Sequence, residues 1–165
     1  MESVSSPIID ATLQRLYDNL ELRDGRWFAR HGGLQLSSHF QPIYSFPHRR
    51  PVGYEALLRV QDANGRAVPP LSFFDGLKSF DEQLHADRLS RLLHVHNYAQ
   101  QGQSEGWLFL NIHPKVFVHG ALEQPMLAQS VDVVERLGLP MHRLVFEVTE
   151  ACLLYTSDAA DEGLG

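Results

Sequence analysis

The chain has 165 residues, 44% of them hydrophobic and 21% charged, which fits one soluble globular domain and excludes the disordered and fibrous classes. Its 14 basic and 20 acidic side chains give a net charge of -6, which argues against binding of a nucleic-acid polymer. No apolar run approaches the ~20 residues of a membrane span, and a single cysteine excludes a disulfide framework. We therefore expect a cytoplasmic protein without a membrane segment.

The first predicted element is an amphipathic helix that begins after Asp10 and ends near Gly25. Leucines at helical spacing indicate it: Leu13, Leu16 and Leu20. Residues 1–33 are therefore expected to form a helical flank, which packs either on the rest of the fold or on a partner.

Two strands are predicted next, over Leu34–Phe46 and Pro51–Val60. Only a short turn separates them, and a parallel crossover needs a dozen residues or more, so the pair is expected to be antiparallel. Pro42 lies inside the first strand and has no N–H to donate. That strand is therefore expected to be irregular, or to lie at a sheet edge on that side.

The second half of the chain alternates between helical and strand patterns. Helices are predicted over Leu71–Lys78, from Asp81 to Gln100, and over Leu122–Leu137. Strands are predicted over Trp107–Ile112, where a proline stops the strand, and over Arg143–Thr149. This alternation indicates an α/β fold with a mostly parallel sheet that follows one antiparallel pair.

Three oxygen-bearing side chains occupy comparable places, each at or near the end of an apolar strand: Glu55, Asn111 and Glu147. The C-terminal ends of strands in barrels and open α/β sheets form the face on which sites are built. Carboxylate and amide oxygens without cysteine or histidine suit hard cations such as Mg²⁺ or Mn²⁺. On spacing alone, a cation site and the alternative, in which the carboxylates are solvated and the asparagine caps the backbone, are equally supported.

Other chemical motifs are weaker or missing. Arg59 is expected on the same strand face as Glu55, where it could meet a phosphate, although spacing alone favours a surface ion pair. Glu150 either buttresses the loop after its strand or is exposed. The sequence has no HExxH, GxGxxG, P-loop or GxSxG pattern, which leaves zinc-protease, dinucleotide, NTPase and serine-hydrolase functions unsupported.

Five ordered stretches resemble the EAL-domain family of bacterial cyclic-di-GMP phosphodiesterases. They are Phe40–Ile43 (FQPI), Val52–Arg59 (VGYEALLR), Ala86–Leu89 (ADRL), Leu110–Pro114 (LNIHP) and Phe146–Glu150 (FEVTE). The tripeptide EAL alone is uninformative, but five motifs in order are highly specific. The resemblance implies a partial (β/α)₈ TIM-type barrel with an antiparallel first strand, truncated after about four strands.

The resemblance also implies the residues of a site. Glu55, Asn111 and Glu147 would bind Mg²⁺ or Mn²⁺, and the catalytic set would be Glu55, Glu147 and Glu150, with Glu150 holding an active-site loop. Cyclic-di-GMP would contact three residues, Gln41, Leu57 and Arg59. Two metals would polarise one phosphodiester and lower the pKa of a water that attacks phosphorus, giving linear pGpG.

Departures from the family pattern set the remaining expectations. His113 replaces a serine, a change outside the metal ligand that we expect to be tolerated. The run Phe73–Leu77 keeps only the aromatic of a longer family motif, so we expect substrate access to differ. The family's Asp-Asp pair, lysine, later glutamate and glutamine are not found after Glu150. The stretch Cys152–Glu162 matches an in-frame translation of a sequencing adapter, so residues 152–165 are predicted to be a non-native tail.

Residues 34–151 are thus predicted to be the N-terminal half of an EAL domain. The full-length parent would be a phosphodiesterase, and this fragment would be inactive because half of the two-metal site is missing. The alternative is a noncatalytic EAL-like cyclic-di-GMP receptor or protein-interaction module. The resemblance does not decide whether the full-length protein is a homodimer.

Overall fold

The computed structural model describes residues 11–102, 106–122 and 133–148. The helices are α1 (Ala11–Tyr17), α2 (Pro70–Asp75), α3 (Phe80–Gln100) and α4 (Pro114–Leu122), and residues 133–136 are also helical. The strands are β1 (Leu20–Arg23), β2 (Arg26–His31), β3 (Leu34–Ser45), β4 (Arg50–Gln61), β5 (Ala67–Val68), β6 (Trp107–Ile112) and β7 (Leu144–Val148). No helix in these ranges is long and apolar enough to cross a bilayer.

All seven strands belong to one sheet of order β1-β2-β3-β4-β6-β7, with β5 paired to β4. The long strands β3 and β4 are antiparallel, whereas β4–β6 and β6–β7 are parallel. The predicted α/β class, with one antiparallel pair before a parallel sheet, is therefore confirmed. The sheet remains open over the described residues, since neither β1 nor β7 finds a second neighbour there.

Helix α3 covers one face of this sheet and builds the core. Leu89 and Leu93 of α3 are buried in the same cluster as Leu108 and Leu110 of β6. Burial alternates along β6, so its other residues, Trp107 among them, face away from α3. The sheet thus has a helix-covered face and an opposite face, which we call the open face.

The N-terminal flank differs from its prediction. The helix ends at Tyr17, and a hairpin of β1 and β2 follows where the helix was expected to continue to Gly25. Asp24 and Gly25 both have positive φ, 48° and 73°, as a two-residue primed turn requires. The expectation of a helical flank over 1–33 is thus wrong for residues 20–31, because the Asp-Gly turn prevails over the leucine spacing.

Three further predictions concern prolines and the last helix. Pro42 lies on the part of β3 that only β4 pairs with, close to a register shift at Ile43/Tyr44, so its predicted irregular edge is confirmed. The sequence pattern did not predict α4. The proline expected to stop β6, Pro114, is its first residue, a position that suits proline because the first helical N–H has no partner within the helix. Most of the helix predicted over Leu122–Leu137, together with Glu150 and the tail 152–165, lies outside the described residues.

Candidate functional site

Strand register brings most of the predicted site residues to the open face. Gln41 lies opposite Glu55 across the β3–β4 pair, and Glu55 lies beside Phe109 of β6. Asn111 follows Phe109 by two residues and lies beside Glu147 of β7. Because paired and alternate residues share a sheet face, all these side chains point to the same side.

Asn111 and Glu55 are in direct contact. The Asn111 Nδ2 donates to Glu55 Oε1 at 3.1 Å, which fixes the orientation of the amide. The Asn111 Oδ1 is buried and has no hydrogen-bond partner among the described residues. Burying such an acceptor unpaired costs roughly 1–3 kcal/mol, so the amide presents an oxygen that an electropositive group would satisfy.

Glu147 adds a second carboxylate to this pair. It is half-buried on β7, directly beside Asn111, and neighbouring strands lie roughly 4.8 Å apart. Nowhere in the described residues do three or more His, Cys, Asp or Glu side chains gather as a metal site. Two carboxylates and one amide oxygen form a donor set that fits Mg²⁺ or Mn²⁺ and does not fit a soft metal.

The predicted nucleotide-binding residues are only partly brought together. Leu57 and Arg59 follow Glu55 on the same face of β4, and with Asn111 they line a pocket of about 200 Å³. Gln41, Glu55 and Glu147 do not line this pocket. The Arg59 side chain is exposed, and its Nη1 donates to the carbonyl oxygen of Leu58 at 3.1 Å. The pocket is smaller than the roughly 300–1,000 Å³ typical of drug-sized ligands, so it fits part of a larger molecule.

Two more residues line this pocket, and the sequence analysis assigned them no site role. Asp87 of α3 is buried, accepts from the His113 backbone N–H at 2.8 Å and pairs with Arg91 at 2.6 Å. Burial raises the pKa of Asp87, and the Arg91 guanidinium opposes that rise. The His113 ring stacks at a tilt on Phe74 of α2, with centroids 5.3 Å apart, and burial lowers the pKa of His113.

A sequence signal for Asp87 did exist. An aspartate among the buried leucines of α3 needs a partner, and an arginine stands four residues later, the spacing of a helical ion pair. What the sequence could not supply was the link to the β6–α4 turn, which forms only when α3 packs on the sheet.

Taken together, these observations define an open α/β sheet whose open face carries the neighbouring oxygen-bearing side chains of Glu55, Asn111 and Glu147. The family model described as EAL domain matches residues 28–164. The chain belongs to the EAL domain family. The match runs across residues 152–164, which the sequence analysis predicts to be non-native and which lie outside the described residues.

Solved structures give the same fold. BlrP1 from Klebsiella pneumoniae, in a manganese and cyclic-diGMP complex, is 19% identical with a TM-score of 0.57, over 78% of this chain and 31% of that one. The Bacillus subtilis YkuI protein, with an EAL domain, substrate c-di-GMP and calcium, is 23% identical with a TM-score of 0.59, over 70% of this chain and 28% of that one. No curated protein sequence matches the chain.

This chain spans about a third of the length of those two proteins. The likeness confirms the predicted partial TIM-type barrel, whose barrel strands here are β3, β4, β6 and β7.

Proposed function

We propose that this chain forms the N-terminal half of a cyclic-di-GMP phosphodiesterase and holds part of its active site. The observation that carries the proposal is the buried Asn111 Oδ1, which has no partner in the described part of the chain while its Nδ2 is held by Glu55. The cyclic-di-GMP complexes of EAL proteins with manganese or calcium support the ligand and the cation class.

In this proposal Glu55, Asn111 and Glu147 hold a Mg²⁺ or Mn²⁺ ion. When bound, such an ion polarises a phosphodiester and makes water more acidic, which favours hydrolysis to linear pGpG. Glu55 has a second role, because its Oε1 accepts from Asn111 and so aims the amide oxygen. We also keep the prediction that Glu150, outside the described residues, holds an active-site loop.

The dinucleotide would lie along the strand ends. Arg59 is exposed and can exchange the Leu58 carbonyl for a phosphate, with which a guanidinium forms charge-assisted hydrogen bonds. Leu57 supplies an apolar wall of the pocket, and Gln41 stands opposite Glu55 on the neighbouring strand. A cytoplasmic location, inferred from the single cysteine, is part of the same proposal.

The cation site is tested by titrating the chain with Mn²⁺ and measuring free Mn²⁺ by electron paramagnetic resonance. Asn111→Ala removes the unpartnered oxygen, and we expect at least about tenfold weaker binding. Glu21→Gln is the matched control, since Glu21 is a carboxylate on the edge strand β1, where it pairs with Arg30 three strands away from Glu55. Equal Mn²⁺ affinity of Asn111→Ala and the unmutated chain would overturn the assignment.

A second measurement separates the enzyme from the receptor. Beyond the proposed ligands Glu55, Asn111 and Glu147, the described residues contain no cluster of His, Cys, Asp or Glu for a second cation, which favours binding without turnover by this chain. We expect cyclic-di-GMP to bind more tightly with Mn²⁺ present, and Arg59→Ala to weaken that binding. Chromatography that detects pGpG above a Glu55→Gln control would contradict the predicted inactivity of this chain. A full-length protein that binds the dinucleotide without hydrolysing it would establish the receptor alternative.

A further inference from the structure

Helix α3 is tied to the residue that follows β6 by the carboxylate of a buried ion pair within the helix. Asp87 and Arg91 are each 3% exposed, and Asp87 Oδ2 lies 2.6 Å from Arg91 Nη2. The other oxygen, Oδ1, accepts from the backbone N–H of His113 at 2.8 Å. Both carboxylate oxygens therefore have partners, which leaves Asp87 poorly placed to act as a cation ligand itself.

The bond to His113 acts where the sheet no longer holds the chain. The ladder between β6 and β7 ends with Ile112 and Val148, and α4 starts at Pro114. His113 is the one residue between the two elements, and its N–H is satisfied by a side chain from the helix layer. Asn111 lies two residues earlier, so the peptide planes that set the direction of its side chain are fixed at both ends.

We propose that Asp87 is a positioning residue for Asn111: it clamps the β6–α4 turn so that the amide donates to Glu55 and presents Oδ1 to the cation. This inference rests on the proposed function for the identity of the cation site. Arg91 keeps the carboxylate in place and balances its charge, because a lone buried carboxylate would be strongly disfavoured.

Paired substitutions test the clamp without leaving an unpaired buried charge. Asp87→Asn with Arg91→Met removes both charges and keeps an acceptor for the His113 N–H. Asp87→Leu with Arg91→Met removes both charges and the acceptor, and replacement of a buried ion pair by apolar side chains is often tolerated. Asn97→Ala is the matched control, since Asn97 is a buried α3 side chain that ties the helix to the Trp27 backbone of β2 instead.

Two readouts follow the site in each protein. The first is Mn²⁺ affinity, which we expect to fall about tenfold or more in the Leu–Met pair and to stay within about threefold in the Asn–Met pair and in Asn97→Ala. The second is the proton–nitrogen NMR signal of the Asn111 side-chain amide in the metal-free chain. We expect this signal to move only in the Leu–Met pair, because only there does the amide lose its fixed direction.

The two readouts keep this inference separate from the proposed function. If the Leu–Met pair retains both the Mn²⁺ affinity and the Asn111 signal, or if Asn97→Ala changes them equally, the positioning role is overturned. If the unmutated chain binds no Mn²⁺, the proposed function fails, and the metal-free Asn111 signal alone then decides whether Asp87 positions the amide.

Discussion

At the scale of single residues, His94 of α3 is a deeply buried titratable group. Its Nδ1 lies 2.8 Å from Ser38 Oγ, and Ser38 Oγ also accepts from Asn97 Nδ2 at 3.1 Å. The serine hydroxyl is thus free to donate to Nδ1, which places the imidazole proton on Nε2. Burial lowers the pKa of His94 to about 3, so the ring is neutral at physiological pH and serves as a structural hydrogen-bond partner.

His94 makes stability depend on pH in a defined direction. In the unfolded chain the pKa of a histidine is near 6.5, so between pH 6.5 and 3 the unfolded state binds one more proton at this site. Stability therefore falls as pH drops through that window, by about 2 kcal/mol between pH 7 and pH 5.

Urea unfolding of the unmutated chain and of His94→Gln at pH 7 and pH 5 measures this contribution. Glutamine keeps an acceptor for Ser38 but does not titrate, so we expect the pH-dependent loss to be about 2 kcal/mol smaller in the variant. The other histidines with lowered pKa values affect both proteins alike and cancel in the comparison. Equal losses in the two proteins would show that His94 is not held neutral by the fold.

At the scale of elements, the close approach of β4 and β6 depends on Gly53. A Cβ at this position would lie 2.7 Å from the Trp107 carbonyl oxygen and 3.0 Å from a Phe109 ring carbon. Gly53 pairs with Trp107 in the parallel ladder, two residues before Glu55, so any separation of the strands reaches the site. The glycine is needed for space, since the obstacle is backbone that cannot rotate away.

We expect Gly53→Ala to cost about 1–3 kcal/mol of stability and to weaken Mn²⁺ binding, because the strands that carry Glu55 and Asn111 are forced apart. Gly106→Ala is the control, since a Cβ there meets the Tyr98 hydroxyl at 3.3 Å and the β4 backbone no closer than 3.5 Å. Thermal or urea unfolding of both variants gives the comparison. A Gly53→Ala protein as stable as Gly106→Ala would argue against this steric account.

The elements also show how much of the fold can be predicted from the sequence. Strand periodicity and short connections predicted β3, β4, β6 and β7 to within a few residues, because these signals are local. Asp24 and Gly25 carry an equally local hairpin signal, but the leucine spacing before them predicts a helix that the structure does not contain there. The prediction that Glu55 and Asn111 lie together is confirmed by their hydrogen bond, although Glu55 stands in the middle of β4 and not near its end. The Asp87 clamp depends on helix packing that no local pattern encodes.

At the scale of the whole molecule, the two faces of the sheet differ in how much of their surface other elements cover. One face is sealed by α3, whose residues from Ala86 to Tyr98 are mostly buried. The open face carries the candidate site, and over the described residues it also exposes apolar surface, with Trp107 45% exposed beside Gly53. Over the described residues β1 and β7 also leave open sheet edges, and open edges beside exposed apolar surface favour association with another surface.

We therefore expect the chain to self-associate in solution, with Trp107 as a principal contact. Light scattering after size exclusion should show a mass that rises with protein concentration, and Trp107→Thr should weaken association at least about tenfold, as is usual for a buried interface tryptophan. Phe117→Thr is the matched control, because Phe117 is 48% exposed but lies on α4, which packs through Val116 against Phe80 and Leu84 of α3 on the helix-covered side. Association that is insensitive to Trp107→Thr, or equally sensitive to Phe117→Thr, would mean that the open face is not the surface through which copies meet.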